Sequence, residues 1–183
     1  MNFFGHLGTV LSHKRQVFQL CRKAGITLQG ITHDLSKFSP SEFLPSVKNY
    51  QGGKRSPNER ERELLGYSAA WLHHKGRNRH HFEYWTDYNP KERKLGPIKM
   101  PLKYLAELLC DRVAASKTYQ GKNYTEAHPL DYFLRGKPNR VIHPETSDFI
   151  EKMLILLRDE GEDKMFGTLK SMLKEGRKNG SQY

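Results

Sequence analysis

The chain has 183 residues, which fits one domain with one sizeable core, and its 11 % aromatic content excludes disorder over most of the length. A formal net charge of +11 and a pI near 9.6 favour anionic partners such as phosphorylated metabolites, nucleotides or nucleic acid. No stretch approaches the length of a membrane-spanning helix, which excludes a helical membrane protein.

The first predicted element runs from about Phe3 to Lys23, where His6, Val10, His13, Val17, Leu20 and Ala24 recur at steps of three and four on one helical face. Gly5, His6 and Gly8 interrupt any signal-like apolar run at the start, so a cytoplasmic protein is expected. Gly25 ends this helix, and a shorter one is predicted over Leu28 to Asp34. Ser39-Pro40-Ser41-Glu42 has the order of a capping box with proline in the first helical position. Ser56-Pro57-Asn58-Glu59 repeats that signal and opens a long helix through Leu64, Leu65, Ala69, Trp71 and Leu72 to His73 or His74, loosened at Gly76 and Asn78.

Asn89 to Pro101 reads as a loop from its Pro, Gly and Lys content. A helix follows over about Leu102 to Thr118, with Leu105, Leu108, Leu109 and Val113 as the inner stripe. Pro129 opens a short helix at Leu130 to Leu134, and Arg135 to Arg140 forms a turn-rich loop. Pro144 opens a helix carrying Phe149, Ile150, Met153, Leu154 and Leu157; Gly161 closes it, and a last helix covers Asp163 to Lys174. Strand signals are nearly absent and no repeat or long linker divides the chain. The expected architecture is a single all-α bundle of about seven helices over residues 1–175, followed by a flexible tail at 176–183.

Polar residues with chemical capacity lie within this apolar framework. Asp111 sits in an otherwise apolar helix, and a buried carboxylate needs a cation: an arginine such as Arg112 or Arg22, a protonated histidine, or a metal. His13 lies on the apolar stripe of the first helix, one heptad after His6, as a hydrogen-bonded core residue or as a ligand. In Thr32-His33-Asp34-Leu35-Ser36-Lys37 the adjacent imidazole and carboxylate can bend toward one ion, and the carboxylate can bridge to a second. Lys37 would bring an ammonium to an anion held at that metal, with a phosphate oxygen as the natural guest. Four further histidines crowd one stretch: His73, His74, His80 and His81. The two cysteines, Cys21 and Cys110, both have apolar helical neighbours and read as core residues of a reducing compartment, too few for a thiolate zinc site.

The order His13, His33-Asp34, Asp111 resembles the HD superfamily of metal-dependent phosphohydrolases. His13-Lys14-Arg15-Gln16-Val17 is similar to that family's first motif. His33-Asp34-Leu35-Ser36-Lys37 is similar to its HD-x-G-K form, with Ser36 in the glycine position. Leu109-Cys110-Asp111-Arg112-Val113-Ala114-Ala115 resembles the segment holding the last aspartate. The resemblance covers about residues 6 to 120 and is strongest to small bacterial and phage HD-like proteins; some of these carry a catalase label, for which this sequence has no haem chemistry. From Tyr124 onward nothing matches diagnostically.

The resemblance implies a first metal held by His13, His33, Asp34 and Asp111, with His6 as competitor for the first position. It implies a second metal sharing Asp34 and drawing on His73, His74, His80 and His81, not all of them ligands. Glu107 is expected as a ligand, base or outer partner, so the catalytic set is Asp34, Lys37 and Glu107. Imidazole with carboxylate suits Mn, Fe, Co, Ni or Zn, one ion or two. Lys75, Arg77, Arg79 and Arg112 are candidate holders of further phosphates, and Phe82, Tyr84, Trp85 and Tyr88 either stack a base or pack the core. The function expected is phosphomonoesterase or phosphodiesterase activity on a phosphorylated small molecule or nucleotide. The alternatives are a di-iron oxygenase, a basic nucleic-acid-binding protein and a ligand sensor.

Overall fold

The structure, a computed structural model, describes residues 2–179. Helix α1 (Phe3–Lys23) begins where expected: the Asn2 side chain accepts a hydrogen bond from Gly5 N at 2.8 Å. Its apolar stripe rests on α6 (Leu102–Gln120) and on the short α2 (Thr27–Thr32). Helix α7 (His128–Gly136) and the long α8 (Pro144–Lys178) close the other side. The core is built from Val17, Leu20 and Cys21 of α1, Leu105, Leu109 and Val113 of α6, Leu130 and Phe133 of α7, and Ile150, Leu154, Phe166 and Leu169 of α8.

Helices α3 (Pro40–Asn49), α4 (Pro57–Leu65) and α5 (Ala69–Arg77) form a second group, packed chiefly on one another. None of their residues belongs to the central apolar cluster, which skips from Ile26 to Phe82. The fold is thus all-α, and among the described residues no helix is long and apolar enough to cross a membrane.

The elements differ from expectation at five places. The helix predicted through Asp34 stops at Thr32, because His33 leaves helical geometry (ψ 128°) and Asp34 turns left-handed. The long helix predicted from Pro57 to His74 is two helices, since Gly66 adopts φ 80° and Ser68 caps the second through Trp71 N, while Gly76 stays helical. The predicted loop at 89–101 contains part of an antiparallel hairpin, β1 (Thr86–Asn89) with β2 (Lys94–Pro97), in which Tyr88 faces Leu95. The capping box at Ser39 does not form: Ser39 makes no side-chain cap, and Glu42 turns to histidines of α5 instead. The last helix continues to Lys178, three residues into the expected tail, and positions 180–183 lie outside the described residues. Gly161 does break α8, with φ 85° and ψ 173°, and Glu126 accepts a hydrogen bond from Glu162 N there.

Candidate metal centre

The site begins with a close helix approach. At Gly30 of α2 a Cβ would lie 2.7 Å from Cys21 Cβ and 3.2 Å from Phe18 Cα, so glycine lets α2 lie directly on α1. The chain leaving α2 delivers His33, and the left-handed turn at Asp34 (φ 54°, ψ 28°) directs the next side chain into the same space. A 3₁₀ turn, Leu35–Phe38, then sets Lys37. His33 and Asp34 are only 1 % and 3 % exposed.

Three further segments converge on this pair. Helix α1 contributes His13, whose Nε2 lies 2.9 Å from Asp111 Oδ1 on α6. His33 Nε2 lies 3.2 Å from Asp34 Oδ2 and 3.5 Å from Asp111 Oδ1. His74 of α5 and His80 beyond it approach from the opposite side, their Nε2 atoms 3.4 Å and 3.5 Å from Asp34 Oδ1. Besides the three-residue set His33, His80 and Glu107, two four-residue groups of potential ligand atoms result, each within 4.8 Å of one another: His13, His33, Asp34 and Asp111, and Asp34, His74, His80 and His81. Asp34 belongs to both. Lys37 Nζ stands 2.6 Å from Asp34 Oδ2.

The donor set fits a transition metal. His33 Nε2, Asp34 Oδ1, His80 Nε2 and His81 Nε2 are buried and make no hydrogen bond, while Asp34 Oδ2 is held by the Lys37 ammonium. Buried polar atoms in that condition are costly, and four gathered in the two groups match ligands for a cation. The far side of each ring supports the same reading. Glu107 accepts a hydrogen bond from His33 Nδ1 at 3.0 Å and lies 3.2 Å from His80 Nδ1. Gln29 Nε2 donates to its other oxygen at 2.7 Å. Glu42 accepts from His74 Nδ1 at 2.7 Å. In the neutral ring, a carboxylate on Nδ1–H leaves the Nε2 lone pair facing inward. Ser36, in the position where the resembled motif has glycine, accepts from Asn78 Nδ2 at 2.8 Å beside the His74 ring.

The electrostatics are those of a tightly packed charge cluster. Burial pushes the Asp34 carboxyl up, but His33, Lys37 and His74 hold it well below the usual carboxylate range. Against the same penalty, His13 and His33 hold Asp111 well below its ordinary value. Burial opposes ionisation of Glu107 as well, yet the His33 and His80 imidazoles bring it down to about 2. Burial also lowers His33, but Asp34, Asp111 and Glu107 outweigh it and hold the ring well above its ordinary value. Burial, with His80 and His74 beside it, keeps His81 well below normal, so its ring is neutral.

Not every expected residue joins the cluster. His73 donates from Nδ1 to Glu42 Oε1 at 2.6 Å and is in neither ligand group. His6, nearer the start of α1, packs against Phe43 and Tyr50, and of the two first-helix histidines only His13 belongs to a ligand group. Asp111 pairs with histidines and with neither Arg112 nor Arg22, whose guanidinium lies over Phe18.

The centre opens into a cleft of about 900 Å³ lined by His13, Lys37, His74, His81 and Asp111. Arg112 lines it, whereas Lys75, Arg77 and Arg79 do not; Arg79 instead donates to the Tyr104 hydroxyl. Of the expected aromatic run only Phe82 reaches the cleft. Trp85 packs on the core and Tyr88 is exposed on the hairpin, while Trp71, Tyr50, Tyr119 and Tyr132 line the cleft in their place. Glu42 and Gln29 escape sequence reading: Glu42 reads locally as a helix-cap residue, and nothing local marks Gln29.

A family model described as a family of unknown function, DUF5662, matches residues 2–156, a span that includes every member of the two ligand groups. No curated protein and no solved structure matches the chain.

Proposed function

We propose, from the premise that this chain belongs to the DUF5662 family, that it is an HD-type metal-dependent phosphohydrolase acting on a nucleotide-like phosphate ester. The observation that carries the reading is the pair of four-residue ligand groups sharing Asp34, whose members His13, His74, His81 and Asp111 line a cleft together with Lys37 and Arg112. His13, His33, Asp34 and Asp111 would hold one ion; Asp34, His74, His80 and His81 would hold a second. When bound, Mn, Fe, Co, Ni or Zn supplies an acidified water and a Lewis acid for the phosphoryl oxygens.

The chain's own groups do the rest. Lys37 places a permanent positive charge where a non-bridging phosphoryl oxygen gathers negative charge. Glu107 has both oxygens engaged by His33, His80 and Gln29, so it orients imidazoles and does not take the role of base. Glu42 does the same for His74. Trp71 and Tyr119 offer apolar faces in the cleft for the remainder of the substrate.

Elemental analysis of purified wild type beside Asp34→Ala and Asp111→Ala, followed by a panel of phosphate mono- and diesters with Mn²⁺, Co²⁺ and Ni²⁺, tests this. Wild type should carry one or two ions per chain and release phosphate; Asp34→Ala should lose both ions and Asp111→Ala one. Metal-loaded wild type that releases phosphate from no ester would sink the hydrolase reading. A second reading draws on the five imidazoles and shared carboxylate, which also suit two irons. Visible charge-transfer bands and turnover that needs O₂ would favour an oxygenase instead.

A further inference from the structure

Arg112 follows the candidate ligand Asp111 on α6 and lines the same cleft. Its guanidinium carbon lies 5.4 Å from the Tyr132 ring centroid and 5.7 Å from that of Phe133. Arg140 reaches the same two rings from the segment after α7, at 5.5 Å and 5.3 Å, and also lines the cleft. Two guanidiniums therefore share one aromatic platform. Arg140 is fixed there: its Nη1 donates to Phe133 O at 3.0 Å, and the absence of a side chain at Gly136 leaves room for it.

Neither arginine forms an ion pair among the described residues, and Arg112 Nε is buried with no hydrogen-bond partner. Glu83 lines the same cleft with its Oε2 buried and unpaired; burial pushes its carboxyl up while Arg112 and Arg140 pull it down, and it forms an ion pair with neither. Two guanidiniums on one aromatic platform, partly desolvated and in ion-pair contact with no carboxylate, leave donors that an anion can join. Guanidinium forks bind phosphoryl oxygens in pairs.

We infer that Arg112 and Arg140 form a second anion subsite, which holds a phosphoryl group of the substrate other than the one presented to the His–Asp cluster. The inference rests on the phosphohydrolase reading and narrows it to small molecules with at least two phosphates. Arg140 is the fixed half and Arg112 the half with free donors.

The test is calorimetric titration of the Mn²⁺-loaded full chain with orthophosphate and with tripolyphosphate at constant ionic strength, for wild type, Arg112→Gln and Arg112→Lys. Wild type should bind tripolyphosphate at least about tenfold more tightly than orthophosphate, the return on one charge-assisted contact. Arg112→Gln should abolish that advantage while leaving Mn²⁺ and orthophosphate affinities within about twofold. Arg112→Lys, which keeps the charge, guards against a folding defect in the first variant and should retain part of the advantage. Equal losses for both anions, or no loss for tripolyphosphate, would overturn the subsite. A single-stranded oligonucleotide that binds through Arg112 more tightly than tripolyphosphate would overturn the small-molecule class. If no phosphate ester is turned over while Arg112-dependent tripolyphosphate binding persists, the hydrolase reading falls and the subsite stands.

Discussion

At Asp34 the backbone occupies a left-handed conformation that costs a non-glycine residue about 1–3 kcal/mol. The turn lets two neighbouring side chains face one point, which a continuous helix would forbid because consecutive residues diverge by about 100°. That geometry could not be read from the chain, where the His33–Asp34 pair was expected inside a helix end. The chain itself said only that a carboxylate in an apolar helix needs a cation; the grouping of the pair with His13 and Asp111 came from the resemblance to the HD superfamily. Glu107 was legible as a participant but not in its role, which depends on two imidazoles arriving from elements far apart in sequence. Its role makes a sharp expectation. Glu107→Gln should weaken Mn²⁺ binding by about 10- to 100-fold without abolishing it. Competition against a chelator of known affinity reads this directly, and unchanged affinity would show that His33 and His80 are oriented by other means.

Among the elements, boundaries set by side-chain chemistry within the helix were easier to foresee than those set by contacts elsewhere. The limits of α1 follow from Asn2 at its start and Gly25 after its end, both local. The division between α4 and α5 depends on Gly66 turning left-handed, while Gly76 in the same run stays helical; composition does not distinguish them. The hairpin at 86–97 escaped notice because its strands are four residues each, too short for alternation to emerge from the surrounding Pro, Gly and Lys. The contact of α2 with α1 carries the second expectation. Gly30→Ala must push a methyl group against Cys21 and the Phe18 backbone, with an overpacking cost of about 1–3 kcal/mol. Because α2 leads directly into His33, the same substitution should weaken Mn²⁺ binding. Chemical denaturation with parallel metal titration measures both; a loss of stability at constant metal affinity would mean that the turn at Asp34 absorbs the shift.

Across the whole molecule, the apolar interior joins α1, α6, α7 and α8 and leaves out α3, α4 and α5. Those three helices meet the rest mainly where Glu42 and His74 reach the charge cluster, although Phe43 of α3 also touches the rings of Phe3 and His6. An ion seated between Asp34 and His74 would act as a clasp between two halves that oil alone binds loosely. Ligand binding stabilises whatever state it requires, by about 2.7 kcal/mol at a hundredfold excess over the dissociation constant. Chelation should therefore loosen the molecule unevenly. Amide hydrogen exchange in residues 40–77 should quicken when Mn²⁺ is withdrawn, while the interior of α6 and the first half of α8 stays protected. Uniform quickening across the chain would mean that the two halves melt together. Under the expected pattern, a cell short of metal would hold this protein half unlatched, its polar helices open to proteases while the greasy half endures.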